Sequence, residues 1–89
     1  MLLGKVIGSV VSTQKDKALV GKKLLIVNEI DLEGNLLEDF IVAVDLVGVG
    51  AGEKVLVVTG SSARRTDETR QKAIDSVIVA KVDNYTYKK

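Results

Sequence analysis

The stretch Val42–Arg65, VAVDLVGVGAGEKVLVVTGSSARR, decides how the rest of the chain is read. Val42-Ala43-Val44-Asp45 is extended and rich in β-branched residues, and Val55-Leu56-Val57-Val58 is an apolar run of strand length. Between them Gly48, Gly50 and Gly52 form a turn cluster, and after Gly60 the chain turns abruptly polar. A dinucleotide fingerprint needs G-x-G-x-x-G between a strand and a helix, so that helix N–H groups face the pyrophosphate. Here the spacing is G-x-G-x-G and a strand follows. A phosphate loop ends in Gly-Lys-Ser/Thr, whereas Gly52 is followed by Glu53, whose carboxylate repels phosphate. The glycines therefore read as a hairpin turn, supplying positive φ or close backbone approach.

Outward from this centre the chain reads as further strands. Leu2–Ser12 alternates apolar or glycine positions (Leu2, Gly4, Val6, Gly8, Val10) with a mixed set, which is a strand with one buried face. Glycines inside a strand mark strong coiling, so this strand is expected to bend. Lys23–Asp31 is a second strand, with Leu24, Ile26 and Ile30 on one face and Leu25 and Val27 on the other. Asn28 interrupts the first set and marks either a bulge or the end of burial. Asp31–Asn35 is a turn by composition, and Leu36–Asp45 is the third strand. Ser61–Lys72 is the one credible helix, short and polar on nearly every face. Ala73–Val82 returns to strand, and in the polar tail that follows Tyr85 and Tyr87 alternate and are placed to dock on a surface. The expected fold is all-β: one domain over residues 1–89, a small five-stranded OB-like barrel with one short peripheral helix.

Composition narrows the chemistry. The 89 residues carry 13 basic and 12 acidic side chains, a net charge of +1, which gives no general field for nucleic acid or acidic membranes. There is no cysteine and no histidine, so disulfides, Ser-His-Asp and Cys-His catalysis and histidine zinc sites are out of reach. No catalytic, cofactor or metal residues stand out, and a non-enzyme is expected. The cluster Lys15, Lys17, Lys22 and Lys23 reads as a solvated loop in preference to a phosphate or partner patch. Asp31, Glu33, Glu38 and Asp39 form an acidic patch whose spacing does not match a calcium loop, so it too reads as solvated. No signal sequence or apolar span is apparent, and a cytoplasmic location is expected.

One imbalance bears on assembly. The chain is 46% hydrophobic but only 3% aromatic, with its apolar content in Val, Leu, Ile and Ala. A chain this small buries only about 60–65% of its unfolded surface by itself. Disulfides and histidine metal sites being unavailable, oligomerisation is the expected extra source of stability. The competing reading is an OB-like module that binds single-stranded nucleic acid. It is weakened by the near-neutral charge and by the few residues that could stack, Phe40, Tyr85 and Tyr87.

Four segments together resemble the ethanolamine-utilisation/carboxysome (EutN/CcmL) family of bacterial microcompartment vertex proteins. They are GKVIGSVVSTQKD (Gly4–Asp16), LVGKKLLIV (Leu19–Val27), VAVDLVGVGAGEKVLVVTGSSAR (Val42–Arg64) and SVIVAKVD (Ser76–Asp83). The resemblance spans nearly the whole chain in order. It departs near Lys72–Asp75, where relatives usually carry a proline. It implies a homopentamer that caps the vertices of a polyhedral shell, next to hexameric shell proteins, with no cofactor, nucleic acid or membrane involved. It also implies that Gly60, Ser61, Ser62, Ala63 and Arg64 lie near a subunit contact or the fivefold axis, although Ser61 or Ser62 reads equally well as a plain helix cap. Lys15 and Asp16 match the family's polar loop and are expected to face a hexameric neighbour.

Overall fold

A computed structural model of the chain describes residues 1–13, 17–60 and 75–88. Its five strands are β1 (Leu2–Val10), β2 (Leu24–Ile30), β3 (Leu36–Asp45), β4 (Lys54–Thr59) and β5 (Ser76–Val82). They close into a barrel in the order β1-β2-β3-β5-β4. A single 3-10 turn, Lys17–Leu19, precedes β2. The expected all-β barrel is present. The helix expected over Ser61–Lys72 falls outside the described residues.

The core is aliphatic. Val6, Leu25, Val27, Ala43, Val49, Val55, Val57 and Ile78 form one buried cluster, with Leu2 and Ile41 packed against it. A smaller cluster of Val44 and Val77 gathers Leu19, Leu24, Leu46 and Val58. These residues lie in a cross-strand row, with Leu24 opposite Val44, Val44 opposite Val77 and Val77 opposite Val58. β2 thus uses both faces: Leu25 and Val27 in the barrel, Leu24 in the satellite cluster. That is why its sequence is apolar without clean alternation.

Irregularities in register bend the strands as barrel closure requires. On β1 the pairing with β2 shifts between Val6 and Gly8, which is the expected bend. On β2 the pairing with β3 shifts between Asn28 and Ile30. Asn28 marks a bulge and not the end of burial, since Ile30 beyond it is buried. The Asn28 side-chain amide donates to the carbonyls of Glu29 at 2.9 Å and Leu37 at 2.8 Å, serving backbone groups that the irregular ladder leaves over.

The glycine stretch is not a hairpin turn. β3 and β4 are not neighbours, because β5 lies between them. β5 pairs antiparallel with β4 and parallel with the end of β3, at Val44–Val77 and Asp45–Ile78. The segment after β3 instead crosses to β1, where the Val6 N–H donates to the Glu53 carbonyl at 2.9 Å and the Gly52 N–H to the Val6 carbonyl at 2.8 Å. Gly48 and Gly52 do take positive φ, 93° and 86°. Two strands joined by a short glycine-rich link look the same in sequence whether they pair with each other or with third parties.

Candidate assembly surfaces

The crossing loop is held by its own carboxylates. Asp45 accepts hydrogen bonds from the N–H groups of Val47, Gly48 and Val49, each at 2.9 Å. Burial opposes the Asp45 charge, but these three donors and the nearby Lys23 outweigh it and hold the carboxyl below its ordinary value of 3.8. Lys23 Nζ also donates to the Val49 carbonyl at 3.2 Å. Glu53 accepts from the Gly50 N–H at 2.7 Å and pairs with Lys81 at 2.7 Å. The Lys81 hydrogen bond, then the Gly50 N–H, draw the Glu53 carboxyl down, and the same pair raises Lys81. Four successive N–H groups that an anion would need are therefore already taken. This is the physical reason the loop is not a phosphate cradle.

The turn between β2 and β3 is similarly self-contained. Asp31 Oδ1 accepts from the N–H groups of Glu33 and Asn35, both at 2.9 Å. The Asn35 N–H leads the influences that lower the Asp31 carboxyl. Asp31 is thereby committed to the turn, and no group of three carboxylates gathers at metal-binding distance among the described residues.

The tail docks as its alternating tyrosines suggest. The Tyr85 hydroxyl donates to the Leu32 carbonyl at 2.9 Å, Lys54 Nζ sits 5.4 Å from the Tyr85 ring centre, and the Tyr85 and Tyr87 rings are 6.2 Å apart. Tyr85 walls a groove of about 650 Å³ over the outer face of β1, β4 and β5, lined by Leu3, Leu56, Ala80 and Val82. These two tyrosines are engaged with the chain itself and with each other, and Phe40 stands away on β3. The aromatic residues do not form a stacking platform of the kind a single-strand binder uses.

Of the residues expected at a subunit contact or facing a hexameric neighbour, Gly60 alone is described. It takes φ 66°, and its N–H donates to the Asp75 carbonyl at 2.8 Å where β4 leaves the barrel and β5 enters it. Ser61, Ser62, Ala63 and Arg64, and Lys15 and Asp16, lie outside the described residues.

Sequence reasoning missed the outer half of β3. Leu36, Leu37 and Phe40 are exposed, Phe40 by 61%, which the strand assignment over Leu36–Asp45 did not foretell. On β3, β5 pairs only with Val44 and Asp45, so among the described residues no strand covers the far edge of β3 from Leu36 to Ala43. A second exposed apolar set, Val10, Val11 and Val20, lies where β1 ends and β2 approaches. Contiguous apolar surface on a small chain marks a contact.

Comparison with known proteins gives a consistent picture. The family model for "Ethanolamine utilisation protein EutN/carboxysome" matches residues 1–83. The carboxysome shell vertex protein CcmL of Nostoc sp. is 48% identical over 84 residues, covering 93% of this chain and 83% of that protein. The microcompartment shell vertex protein PduN of Salmonella typhimurium is 47% identical over 87 residues, covering 93% and 96%. Among solved structures, the GrpN pentameric microcompartment shell protein from Rhodospirillum rubrum superimposes with a TM-score of 0.90 at 44% identity, covering 98% of this chain and 99% of that one.

Proposed function

Because the chain belongs to the EutN/CcmL family, we propose that it is a structural shell protein whose pentamers cap the vertices of a bacterial microcompartment. One observation carries this reading. The closed five-stranded barrel coincides over nearly its whole length with that of a pentameric shell protein. The chain is not an enzyme; its family consists of shell vertex proteins.

The mechanism is geometric. Flat tiles of sixfold symmetry cover a facet but cannot close a polyhedron, and a ring of fivefold symmetry supplies the missing curvature. In a cyclic ring each subunit offers two different patches, one to each neighbour, and the rotation between them closes the assembly.

Several finer assignments belong to the same reading. Residues 1–89 act as a single vertex domain, and the pentamer sits among hexameric shell proteins within the shell. Gly60, Ser61, Ser62, Ala63 and Arg64 lie near a subunit contact or the fivefold axis, where small residues let backbones approach. Lys15 and Asp16 face a hexameric neighbour. Neither nucleic acid nor a membrane takes part.

Native mass spectrometry of the purified protein tests the function. A mass five times that of the 9.5 kDa chain is expected. A monomer or dimer at micromolar concentration would overturn the vertex reading while leaving the barrel intact.

A further inference from the structure

The ladder beside β2 stops short of the β2–β3 turn. β1 pairs with β2 no further than Gly4 opposite Glu29, and the next pair outward, Ile30 with Leu36, belongs to β2 and β3 alone. The turn Asp31–Asn35 therefore lies past the end of the three-strand ladder. It is closed by its own groups. The Asp31 N–H donates to the Asn35 carbonyl and the Gly34 N–H to the Asp31 carbonyl, both at 3.0 Å, beside the bonds from Glu33 and Asn35 to the Asp31 carboxylate.

The residues after β5 reach this turn from the other side of the barrel. Val82 is opposite Lys54 of β4, and three residues further on the Tyr85 ring lies under the Lys54 ammonium, 5.4 Å from it. Asn84 Oδ1 accepts from the Tyr85 N–H at 2.9 Å and fixes the bend between them. Tyr85 is half-buried, whereas every other residue from Asp83 to Lys88 is exposed, so this ring anchors the tail. Its hydroxyl donates to the Leu32 carbonyl at 2.9 Å. Leu32 lines both the groove walled by Tyr85 and a second one, of about 410 Å³, that Tyr87 lines. Lys54 Nζ also stands 3.9 Å from the point at which Gly34 would carry a Cβ, so one lysine meets both the tail and the turn.

We propose that Asp83–Lys88 is a conformational clasp on the β2–β3 turn, with Tyr85 as its pin, and that tail and turn are coupled so that each steadies the other. Tyr85 is a positioning residue: it ties β4, through Lys54, to a turn that the β1 ladder does not reach. Coupling of this kind acts equally in both directions. Drawing Tyr85 off Leu32 loosens the turn and removes one wall of the groove lined by Leu3, Leu56, Ala80 and Val82, and gripping the turn steadies the tail. The device is built into the single subunit and goes beyond the vertex reading without depending on it.

Amide exchange followed by NMR on the full chain tests the clasp. In Tyr85→Ala the amides of Asp31, Glu33, Gly34 and Asn35 should exchange about tenfold faster than in wild type, while Val55 and Val57 of β4 keep their rates. Tyr85→Phe keeps the ring under Lys54 and loses only the hydroxyl. It should fall between the two, and it decides the matter should Tyr85→Ala fail to fold. The reverse direction is read on Lys54, whose methylene protons next to Nζ lie over the Tyr85 ring and should resonate upfield of those of an unstructured lysine. Asp31→Ala, which breaks the turn from within, should move them back toward that position.

Turn amides unmoved in the Tyr85 variants would show that the tail merely rests on the turn and would overturn the clasp. Equal acceleration at Val55 and Val57 would also refute it, because the loss would then belong to the whole barrel. A Lys54 signal that stays in place in Asp31→Ala, while the turn amides quicken, would refute the coupling. Each of these is read within one subunit, so the clasp and the pentamer stand or fall separately.

Discussion

The carbonyl oxygen of Asn28 lies 2.9 Å from the point at which Gly4 would carry a Cβ, and the Val27 side chain closes the same space. Gly4 is buried inside β1 because β2 approaches it that closely. Gly4→Ala should therefore destabilise the subunit by about 1–3 kcal/mol, the cost of overpacking a filled core. Gly8→Ala serves as the comparison: its nearest neighbour is the end of the Ile26 side chain at 3.5 Å, ordinary contact, so its melting temperature should barely move. Equal losses in the two variants would show that the Asn28 approach does not set the cost.

Asp45 should make the subunit acid-sensitive. Its folded carboxyl is held below 3.8 even though burial opposes the charge, the N–H groups of Gly48, Val47 and Val49 prevailing. The stabilisation is complete above the unfolded value and is lost as the pH falls through the lower, folded one. Asp45→Ala should cost about 1–2 kcal/mol at neutral pH, comparable to loss of a helix cap, and should flatten the decline of the melting temperature below pH 4. An unchanged acid limb in a melting series would remove Asp45 from that role.

The Glu53–Lys81 pair should matter less. Half of the Lys81 side chain is in solvent, and exposed pairs contribute little. Glu53→Gln retains an acceptor for the Gly50 N–H but loses the ion pair. Its melting temperature should differ slightly from wild type in dilute buffer and not at all near 1 M salt, where charges are screened within about 3 Å. Because Lys81 is raised above 10.5, its part of the pair persists below that value and is lost as the pH climbs through the folded one.

Tyr85 holds the residues after β5 against the β2–β3 turn through Leu32. Tyr85→Ala should speed amide exchange across Asp83–Lys88 without lowering the melting temperature of the barrel by more than a few degrees. Unaltered exchange there would mean that other contacts hold the tail.

Ser62→Trp tests the proposed placement of Gly60–Arg64 at a subunit contact. Wild-type pentamers should give way to smaller species in the native mass spectrum, and a variant that still forms five-membered rings would remove this segment from the contact.

The strands and the aliphatic core were legible because each rests on local pattern. β1, β2 and β4 announce themselves by apolar runs bounded by polar or glycine residues. What was not legible is which strands touch. Nothing near Val44 or Val77 records that they pair across more than thirty residues, and the glycines between β3 and β4 suited a hairpin as well as a crossing. The exposure of Leu36, Leu37 and Phe40 was hidden for a different reason: a single chain's pattern does not say whether an apolar strand face packs in its own core or against a neighbour. Serine and arginine after Gly60 were recognisable only by resemblance, since a cap and a contact use the same residue types.

The closed barrel also sets a timetable for synthesis. Leu2 and Leu3 of β1 pair with Val57 and Leu56 of β4, and β3 and β4 are linked only by β5, the last strand in the sequence. A nascent chain can form the β1–β2–β3 meander early and add β4 alongside β1, but the barrel stays open between β3 and β4 until Ser76–Val82 has been made. Such distant pairings are slow, commonly on the millisecond-to-second scale, and expose apolar strands while they wait. Closure therefore waits for β5, and chains interrupted before it are the ones to clump.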